Sequence, residues 1–425
     1  MKYTEMLKNE LQVLYNKLIN EYEIYKNKNL KLDMSRGKPS AEQLNLSMEL
    51  FNTKLDDSNI NIDNIDIRNY GCLDGLPSVK KFFSNILNVE ESEIMIGGNS
   101  SLNLMHDVIS NLMLLPPEDG CKPWCQYNKI KFLCPVPGYD RHFAICEKFG
   151  IEMINVDMLD SGPDMDTIEK LVSNDETIKG IWCVPQYSNP TGVTYSNQTV
   201  KRFANLNPKA KDFKIFWDNA YIIHHLYDQH PTLLNILAEC KKNSKDDMVY
   251  IFSSTSKISF PGAGIAIIAT SKKNILQLKK WFSVQTIGHN KITQAKHLLF
   301  FKDTKKLMLH MKKHANILRP KFEMVDYILD KNLNGTGLAT WSKPLGGYFI
   351  SLNTLNGCAK KVIYLCKKAG VTFTNAGATF PYGKDPKDNN IRIAPSYPAI
   401  NELRESMELF CLAVKIASIE KLINL

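Results

Sequence analysis

The chain of 425 residues contains little arginine for so basic a protein. Only 7 of its 53 basic residues are arginine, and the remaining 46 are lysines spread along the whole chain, which carries a net charge of +9. Nucleic-acid binding requires basic residues clustered in a stripe, and binding to a membrane surface requires a basic amphipathic helix. Because the lysines are dispersed, we expect neither a nucleic acid nor a membrane as a partner.

The sequence also lacks signals for secretion, membrane insertion and metal binding. Its start, MKYTEMLKNELQ, is charged where a signal peptide is apolar, and its apolar runs are shorter than the roughly 18 residues of a membrane span. The closest of its ten cysteines, Cys121 and Cys125, have no second cysteine pair and no histidine partners nearby. We therefore expect a cytoplasmic protein with reduced thiols and no metal site.

A repeated pattern in the middle of the chain predicts the main sheet. With 44% hydrophobic residues the chain can bury a large core, which excludes a disordered protein. Short apolar runs alternate with stretches long enough for a helix, as is typical of α/β proteins with a mostly parallel sheet covered on both faces. The predicted strands are Lys131–Cys134, Glu152–Val156, Ile181–Val184, Lys214–Trp217, Val249–Phe252 and Gly264–Ala269.

The remaining segments predict a smaller α+β part. Residues 1–28 and Pro398–Leu425 have the apolar spacing of helices, and Trp341–Leu352, Val371–Thr374 and Ile391–Ala394 are predicted strands. We predict three divisions of the chain. Residues 1–46 form an N-terminal helix and lid segment of the small domain, residues 47–310 form the large domain, and residues 311–425 form the small C-terminal domain.

Polar residues follow several of the predicted strands. Asp218 and Tyr221 come after Lys214–Trp217, Asn189 lies in a turn of sequence N-P-T-G, and Lys257 is flanked by hydroxyl residues. The segment G-G-N-S-S (97–101) lies between another apolar run and a helical pattern. Because ligands of α/β proteins bind at the carboxyl ends of the strands, these residues predict one shared site.

The same residues belong to an ordered set of motifs that resembles a known family. The set comprises Y-x-x-x-x-G-x-P (70–77), G-G-N-S-S, P-G-Y (137–139), N-P-T-G (189–192), D-N-A-Y (218–221), S-x-S-K (254–257), G-G-Y-F (346–349) and I-R-I (391–393). It resembles the class I, fold type I aminotransferases that depend on pyridoxal 5'-phosphate (PLP). The longer segments L-D-M-S-R-G-K-P-S and P-G-Y-D-R-H-F resemble the aspartate aminotransferase branch called subgroup Ic.

The resemblance covers about residues 30–400 and implies a fold and a cofactor. The implied fold is α/β, with three layers around a mostly parallel central sheet, plus a smaller α+β domain. PLP is the implied cofactor, and Lys257 would bind it covalently and then move a proton as general acid and base. Asp218 would pair with the pyridine nitrogen, and Tyr221 and Asn189 would hydrogen-bond the phenolic oxygen. The residues alone leave an alternative for each of two roles: Lys257 could be an ordinary loop lysine, and Asp218 could be a helix cap.

Other residues are implied to hold the rest of the cofactor. Tyr139 would stack on the ring, and its alternative is a tyrosine packed against neighbouring prolines. The phosphate would be bound by five residues and by the start of a helix. These are Gly98, Asn99, Ser100, Ser254 and Ser256. Tyr70 would reach the phosphate from a neighbouring subunit, which implies a homodimer with shared active sites.

The sequence departs from the family pattern at the phosphate. Many relatives carry an arginine eight residues after the cofactor lysine, and this chain has Ile265 there. We suggest that Lys291, contributed by either subunit, supplies the missing positive charge.

Arginine and glycine residues predict the substrate end of the site. Arg392 matches the arginine that binds the α-carboxylate, because its planar fork makes two parallel hydrogen bonds. The alternative is a surface arginine on a strand. Gly37 would allow the lid segment to approach the substrate closely, and Arg36 or Lys38 would bind a side-chain carboxylate. Aspartate and glutamate would then be preferred.

The expected function is transfer of an amino group from L-aspartate to 2-oxoglutarate by a ping-pong cycle. The partners are therefore an amino acid and a 2-oxo acid. The alternatives are an aminotransferase for alanine, aromatic amino acids or kynurenine, and a PLP-dependent lyase or decarboxylase on the same fold. A transcriptional regulator would need a winged-helix domain before the first motif, and only about 30 residues precede it.

Overall fold

The computed structural model describes residues 2–424. The helices are α1 (Lys8–Asn27), α2 (Ala41–Asn45), α3 (Glu49–Asn52), α4 (Pro77–Leu87), α5 (Ser101–Leu114), α6 (Asp140–Lys148), α7 (Met165–Asn174), α8 (Asn197–Asn205), α9 (Ile236–Lys242), α10 (Lys272–Phe282), α11 (Lys291–Phe301), α12 (Thr304–Leu333), α13 (Ala359–Lys368) and α14 (Ile400–Ile423). Within these described residues, no helix is both long enough and apolar enough to cross a membrane.

The strands form one large sheet and several small ones. They are β1 (Leu32–Asp33), β2 (Asn61–Ile62), β3 (Ile65–Asp66), β4 (Ile94–Ile96), β5 (Lys131–Val136), β6 (Glu152–Leu159), β7 (Gly162–Pro163), β8 (Ile178–Cys183), β9 (Lys214–Asp218), β10 (Val249–Ser254), β11 (Ala266–Ala269), β12 (Ala339–Trp341), β13 (Ile350–Thr354), β14 (Val371–Thr372) and β15 (Asn390–Ile393). The large sheet has eight strands in the order β4-β11-β10-β9-β8-β5-β6-β7. Its neighbours from β10 to β6 are parallel, and β11 runs antiparallel to both β10 and β4. The predicted mostly parallel α/β sheet is confirmed.

Side chains of the large sheet alternate between two apolar layers. In β9, Ile215 and Trp217 belong to one buried cluster, and Phe216 between them belongs to the cluster on the opposite face. Trp182 of β8 shares the face of Phe216. Successive side chains of a strand point to opposite faces, so an unbroken apolar run is buried only when helices cover both. This explains why the strands appear in the sequence as continuous apolar runs.

A third apolar cluster joins the two ends of the chain. Helix α1 packs on α14, and the three-stranded sheet β12-β13-β15 lies in the same cluster. The prediction of one strand over Trp341–Leu352 is wrong. Two antiparallel strands occur there, paired at Trp341 and Leu352, because Pro344 and Gly347, with its φ of 79°, turn the chain between them.

The division of the chain into residues 1–46, 47–310 and 311–425 stays a prediction. Helix α12 runs without interruption across the proposed boundary at residue 310. Strand β1, just before the predicted lid residues, pairs with β14. The lid segment is therefore anchored to the C-terminal part of the chain.

Candidate active site

A cavity of about 500 Å³ lies where the parallel strands of the large sheet end. The predicted site residues that line it are Arg36, Gly37, Ser100, Tyr139, Asn189, Asp218, Tyr221, Ser254, Ser256, Lys257 and Arg392. Eight of these follow or end five different strands of the same direction, namely β4, β5, β8, β9 and β10. Parallel strands bring their carboxyl ends to one edge, and this gathers residues that are far apart in the sequence.

Asp218 is the last residue of β9 and directs one carboxylate oxygen at a histidine. Its Oδ2 lies 3.1 Å from His142 Nε2, and the His142 ring stacks on Trp182 with centroids 4.3 Å apart. Because an ionised carboxylate only accepts hydrogen bonds, Nε2 carries the hydrogen. The other oxygen, Oδ1, is buried and has no hydrogen-bond partner among residues 2–424.

The alternative interpretation of Asp218 as a helix cap is wrong, because a turn and not a helix follows it. His142 was not among the predicted site residues. It lies in the segment P-G-Y-D-R-H-F, three residues after Tyr139, and this spacing on the first turn of α6 was the available signal.

Lys257 lies in the turn that follows β10 and points at two tyrosines. Its Nζ is 5.2 Å from the ring centroid of Tyr221 and 5.8 Å from that of Tyr348. Burial lowers the pKa of the Lys257 amine below its usual value of 10.5, while the charge of Asp218 acts in the opposite direction. A lower amine pKa leaves more of the neutral, nucleophilic form available. Burial also raises the pKa of Tyr221, so its hydroxyl keeps its hydrogen.

Hydroxyl groups and a helix start form one end of the cavity. Ser100 is the N-cap of α5, and its side chain makes no capping bond among the described residues. Ser254 Oγ donates to Ser256 Oγ over 3.0 Å, and Ser256 Oγ donates to the carbonyl of Asn99 over 3.3 Å. Gly98 and Asn99 belong to the same turn but do not line the cavity, and Asn99 Nδ2 donates to Pro261 O instead. A helix start with free N–H groups and hydroxyls suits a phosphate.

The positive charge expected near this end does not come from Lys291 of the same chain. Ile265 is buried in the apolar cluster below the sheet, and its N–H donates to Thr255 Oγ1 over 2.9 Å. Lys291 Nζ donates to the backbone carbonyls of Asn69 and Gly71, over 2.5 and 3.1 Å, and does not line the cavity of its own chain. Its suggested role toward a neighbouring subunit stays a prediction.

Arg392 lies on β15 at the other end of the cavity and is buried. The alternative of a surface arginine is therefore wrong. Its Nη1 donates to Asp140 Oδ1 over 3.0 Å and to Asn189 Oδ1 over 3.4 Å, and its Nη2 donates to Thr374 Oγ1 over 3.4 Å. Asp140 was not predicted from the sequence.

The lid residues Arg36 and Gly37 lie beside this arginine. A Cβ atom at Gly37 would collide with the ring of Phe349, whose centroid is 5.0 Å from Arg392 Cζ. Arg141 also lines the cavity. In contrast, Lys38 Nζ lies 3.9 Å from the ring centroid of Tyr397, and Lys38 is not among the lining residues. Tyr70 is 81% exposed on the surface and does not line the cavity of its own chain.

The residues present fit PLP. The buried Oδ1 of Asp218 is available for a protonated ring nitrogen, the Lys257 amine is available for the aldehyde, and the start of α5 with its serines is available for the phosphate. The size of the cavity is within the range for cofactor sites. The fold and this arrangement define a PLP-dependent aminotransferase.

Comparisons with known proteins identify the family. The family model described as aspartate amino-transferase matches residues 6–425, so the chain belongs to the aspartate aminotransferase family. The aspartate aminotransferase of Corynebacterium glutamicum is 41% identical over 408 residues, which cover 95% of this chain and 93% of that protein. A crystal structure of an aspartate transaminase from C. glutamicum superposes with a TM-score of 0.97, at 39% identity and 99% coverage of both chains.

A distant structure shares the fold alone. The α-aminoadipate aminotransferase LysN from Thermus thermophilus, complexed with N-(5'-phosphopyridoxyl)-L-leucine, has a TM-score of 0.72 at 17% identity, covering 94% of this chain and 95% of that chain.

Proposed function

We propose that the protein transfers the amino group of L-aspartate to 2-oxoglutarate. The choice of substrate rests on where the arginines lie in the structure. The chain has only 7 arginines, and Arg36, Arg141 and Arg392 all line the same cavity. A dicarboxylic amino acid brings two carboxylates into this cavity, and guanidinium groups bind carboxylates in a planar, bidentate manner. The similarity to the aspartate aminotransferase of C. glutamicum supports the same choice.

Each end of the substrate has its own set of residues in this proposal. Arg392, with Asn189 beside it, binds the α-carboxylate that both substrates share. Arg36 and Arg141 bind the side-chain carboxylate. The predicted contribution of Lys38 is replaced by that of Arg141, because Lys38 packs on Tyr397 outside the cavity.

Lys257 moves the proton in the proposed reaction. Bound PLP supplies an electron sink that stabilises negative charge at the substrate Cα. Lys257 Nζ would hold PLP through its aldehyde and, when free, would take the proton from the substrate Cα as general acid and base. Asp218, held by His142, would keep the ring nitrogen protonated. Tyr221 and Asn189 would bind the phenolic oxygen, and Tyr139 would cover the ring.

We further propose a cytoplasmic homodimer with shared active sites. Lys291 donates to the backbone carbonyls on both sides of the exposed Tyr70. The segment just before Lys291 carries two further exposed apolar residues, Val284 and Ile287. These apolar side chains therefore lie near Tyr70. Such a patch supports an interface between subunits. All ten cysteines are free thiols, which supports a reducing compartment.

The assay that tests the function compares aspartate with alanine as donors to 2-oxoglutarate. We expect a higher kcat/KM for aspartate. Arg36→Gln and Arg141→Gln are each expected to lower kcat/KM for aspartate by roughly ten- to a hundredfold, because a charge-assisted hydrogen bond is lost. The kcat/KM for alanine, which has no second carboxylate, should stay within about threefold.

Two further variants serve as controls in this assay. Lys38→Gln removes a neighbouring positive charge outside the cavity and should leave both donors unchanged. Lys257→Ala should abolish transfer from every donor, which assigns the activity to this cavity. Equal use of alanine and aspartate by the wild-type enzyme would refute the proposed substrate, and full activity of Lys257→Ala would refute the site.

A further inference from the structure

Asp140 places a carboxylate of the protein itself on the arginine that is proposed to bind the substrate. It is the first residue of α6, and Arg392 lies 252 positions later in the sequence, on β15. An acidic residue at the start of a helix is stabilised by the helix dipole, and this accounts for such a residue when it faces solvent. This one instead forms an ion pair with a buried guanidinium group, with its Oδ1 3.0 Å from Arg392 Nη1.

The contact uses the nitrogen that a substrate carboxylate would use. Nη1 is the nitrogen of Arg392 that faces Asn189, the second residue proposed to bind the α-carboxylate. Nη2 donates to Thr374, and Nε is buried without a partner among the described residues. A substrate carboxylate held by both Arg392 and Asn189 would therefore occupy the position of the Asp140 carboxylate.

The two carboxylates cannot occupy this position together, because like charges at this distance repel each other. The side chain of Asp140 is 34% exposed, whereas that of Arg392 is 8% exposed. Asp140 can therefore turn toward water when a substrate arrives, while Arg392 stays in place. Without a substrate, Asp140 neutralises a buried guanidinium group that forms no other ion pair within residues 2–424.

We propose that Asp140 is a substrate mimic that occupies the α-carboxylate site of the free enzyme and must be displaced by every substrate. The proposal rests on the proposed function only in that each substrate carries an α-carboxylate. Displacement occurs on binding and persists through the reaction, so Asp140 weakens the binding of ground state and transition state alike. Such a residue raises KM and leaves kcat unchanged.

The test compares wild type with Asp140→Asn in both kinetics and binding. The variant keeps the shape of the side chain and removes its charge. We expect KM for aspartate and for 2-oxoglutarate to fall by about tenfold at unchanged kcat, since the lost contact is a charge-assisted hydrogen bond. Succinate, an unreactive dicarboxylate, should bind the holoenzyme about tenfold more tightly in calorimetry.

The gain in thermal stability on adding succinate is a readout that a merely structural role of Asp140 would not move. Asp140→Asn should melt at a lower temperature than wild type without succinate, because Arg392 loses its countercharge. It should gain more from saturating succinate than wild type does, because the ligand restores that charge. Glu147→Gln, which removes an exposed carboxylate from the same helix, should match wild type in every measurement.

Other outcomes overturn the proposal. An increase of KM in Asp140→Asn would show that Asp140 positions Arg392 for the substrate, and unchanged KM and succinate affinity would show that it does not compete. Failure of the proposed function is distinguishable, because wild type would then fail to use aspartate. The same comparison with alanine and pyruvate, which also carry α-carboxylates, would still decide the role of Asp140.

Discussion

At the scale of single residues, the site depends on side chains whose orientation is fixed by neighbouring residues. Asp218 binds His142 with one carboxylate oxygen, and its other oxygen, which has no partner among the described residues, is the one proposed to meet the cofactor. Arg392 rests on the ring of Phe349, and Phe349 in turn is contacted by the lid at Gly37. Fixed orientation of this kind is what makes a hydrogen bond to a reacting group effective, because no reorganisation is needed during the reaction.

Gly37 gives a prediction at this scale. Gly37→Ala places a methyl group into the ring of Phe349, so either the lid or the ring must shift and Arg392 loses its support. We expect kcat/KM for aspartate to fall by roughly ten- to a hundredfold, as is typical when a binding group is displaced by about 1 Å. Steady-state kinetics check this result.

Gly262→Ala is the matched control, because a Cβ atom there meets nothing within 4 Å. It should have wild-type kinetics. Wild-type kinetics of Gly37→Ala as well would contradict the supporting role of the contact between Gly37 and Phe349.

At the scale of elements, helix α11 fastens the turn that carries Lys257. His297 Nε2 lies 2.8 Å from Ser259 Oγ, and its Nδ1 lies 2.8 Å from the carbonyl of Thr293 on its own helix. In the neutral ring, Nδ1–H donates to Thr293 O and Nε2 accepts from Ser259 Oγ. Burial lowers the pKa of His297 from 6.5 to about 4.

This pKa predicts how stability depends on pH. Below pH 6.5 the unfolded chain takes up a proton at His297 that the folded protein does not take up until about pH 4. The contribution of the neutral ring is therefore complete above pH 6.5 and is lost as the pH falls toward 4. Between pH 7.5 and 5, His297→Gln should lose less free energy of unfolding than wild type, by about 1–2 kcal/mol.

Urea unfolding at the two pH values checks this prediction. His106→Gln, at a partly exposed position outside this contact, is the control for removing a histidine from the protein. An equal loss in His297→Gln and wild type would contradict the assignment to His297.

The elements also show which parts of the site could be predicted from the sequence. Asp218, Asn189 and Lys257 were predictable because each follows a strand of the same direction, and parallel strands bring such residues together. The pairs Asp140–Arg392 and His142–Asp218 were not predictable. Each joins residues from separate elements, and neither spacing nor composition reports a distance between side chains of different elements. The split of Trp341–Leu352 was missed because its apolar residues conceal the turn at Pro344 and Gly347.

At the scale of the whole molecule, one chain does not account for every predicted residue. Tyr70 is exposed, and Lys291 holds the backbone around it instead of facing the cavity. Both residues fit the proposed homodimer, in which this surface faces the partner's cavity. The supply of a cation to the cofactor phosphate by the second subunit also stays a prediction, since sequence patterns carry no information across an interface.

The proposed interface can be tested by placing a charge in it. The test variant is Ile287→Asp, because Ile287 is 60% exposed and lies near Tyr70. We expect the dimer dissociation constant to rise by about thirtyfold or more, because a carboxylate is buried at an apolar contact. Sedimentation velocity over a concentration series measures it, and activity should fall as the dimer dissociates.

Val13→Asp serves as its control, since Val13 is even more exposed and lies on α1, which packs on α14, whereas the backbone around Tyr70 is bound by Lys291 of α11. It should remain dimeric. A monomeric wild type, or an Ile287→Asp variant as tightly associated as wild type, would rule out this surface as the interface.

The pairing of α1 with α14 has a consequence for synthesis on the ribosome. Tyr15 lies against Glu420, Tyr25 against Glu408 and Lys28 against Glu405, so the two helices are antiparallel and their contacts join residues 377 to 405 positions apart. The large sheet ends at Ala269 and can pair its strands while translation continues. The apolar cluster beneath Arg392 cannot close until α14 has left the exit tunnel. The residues proposed for the cofactor can thus be in place before Arg392, which is proposed to bind the α-carboxylate of the substrate.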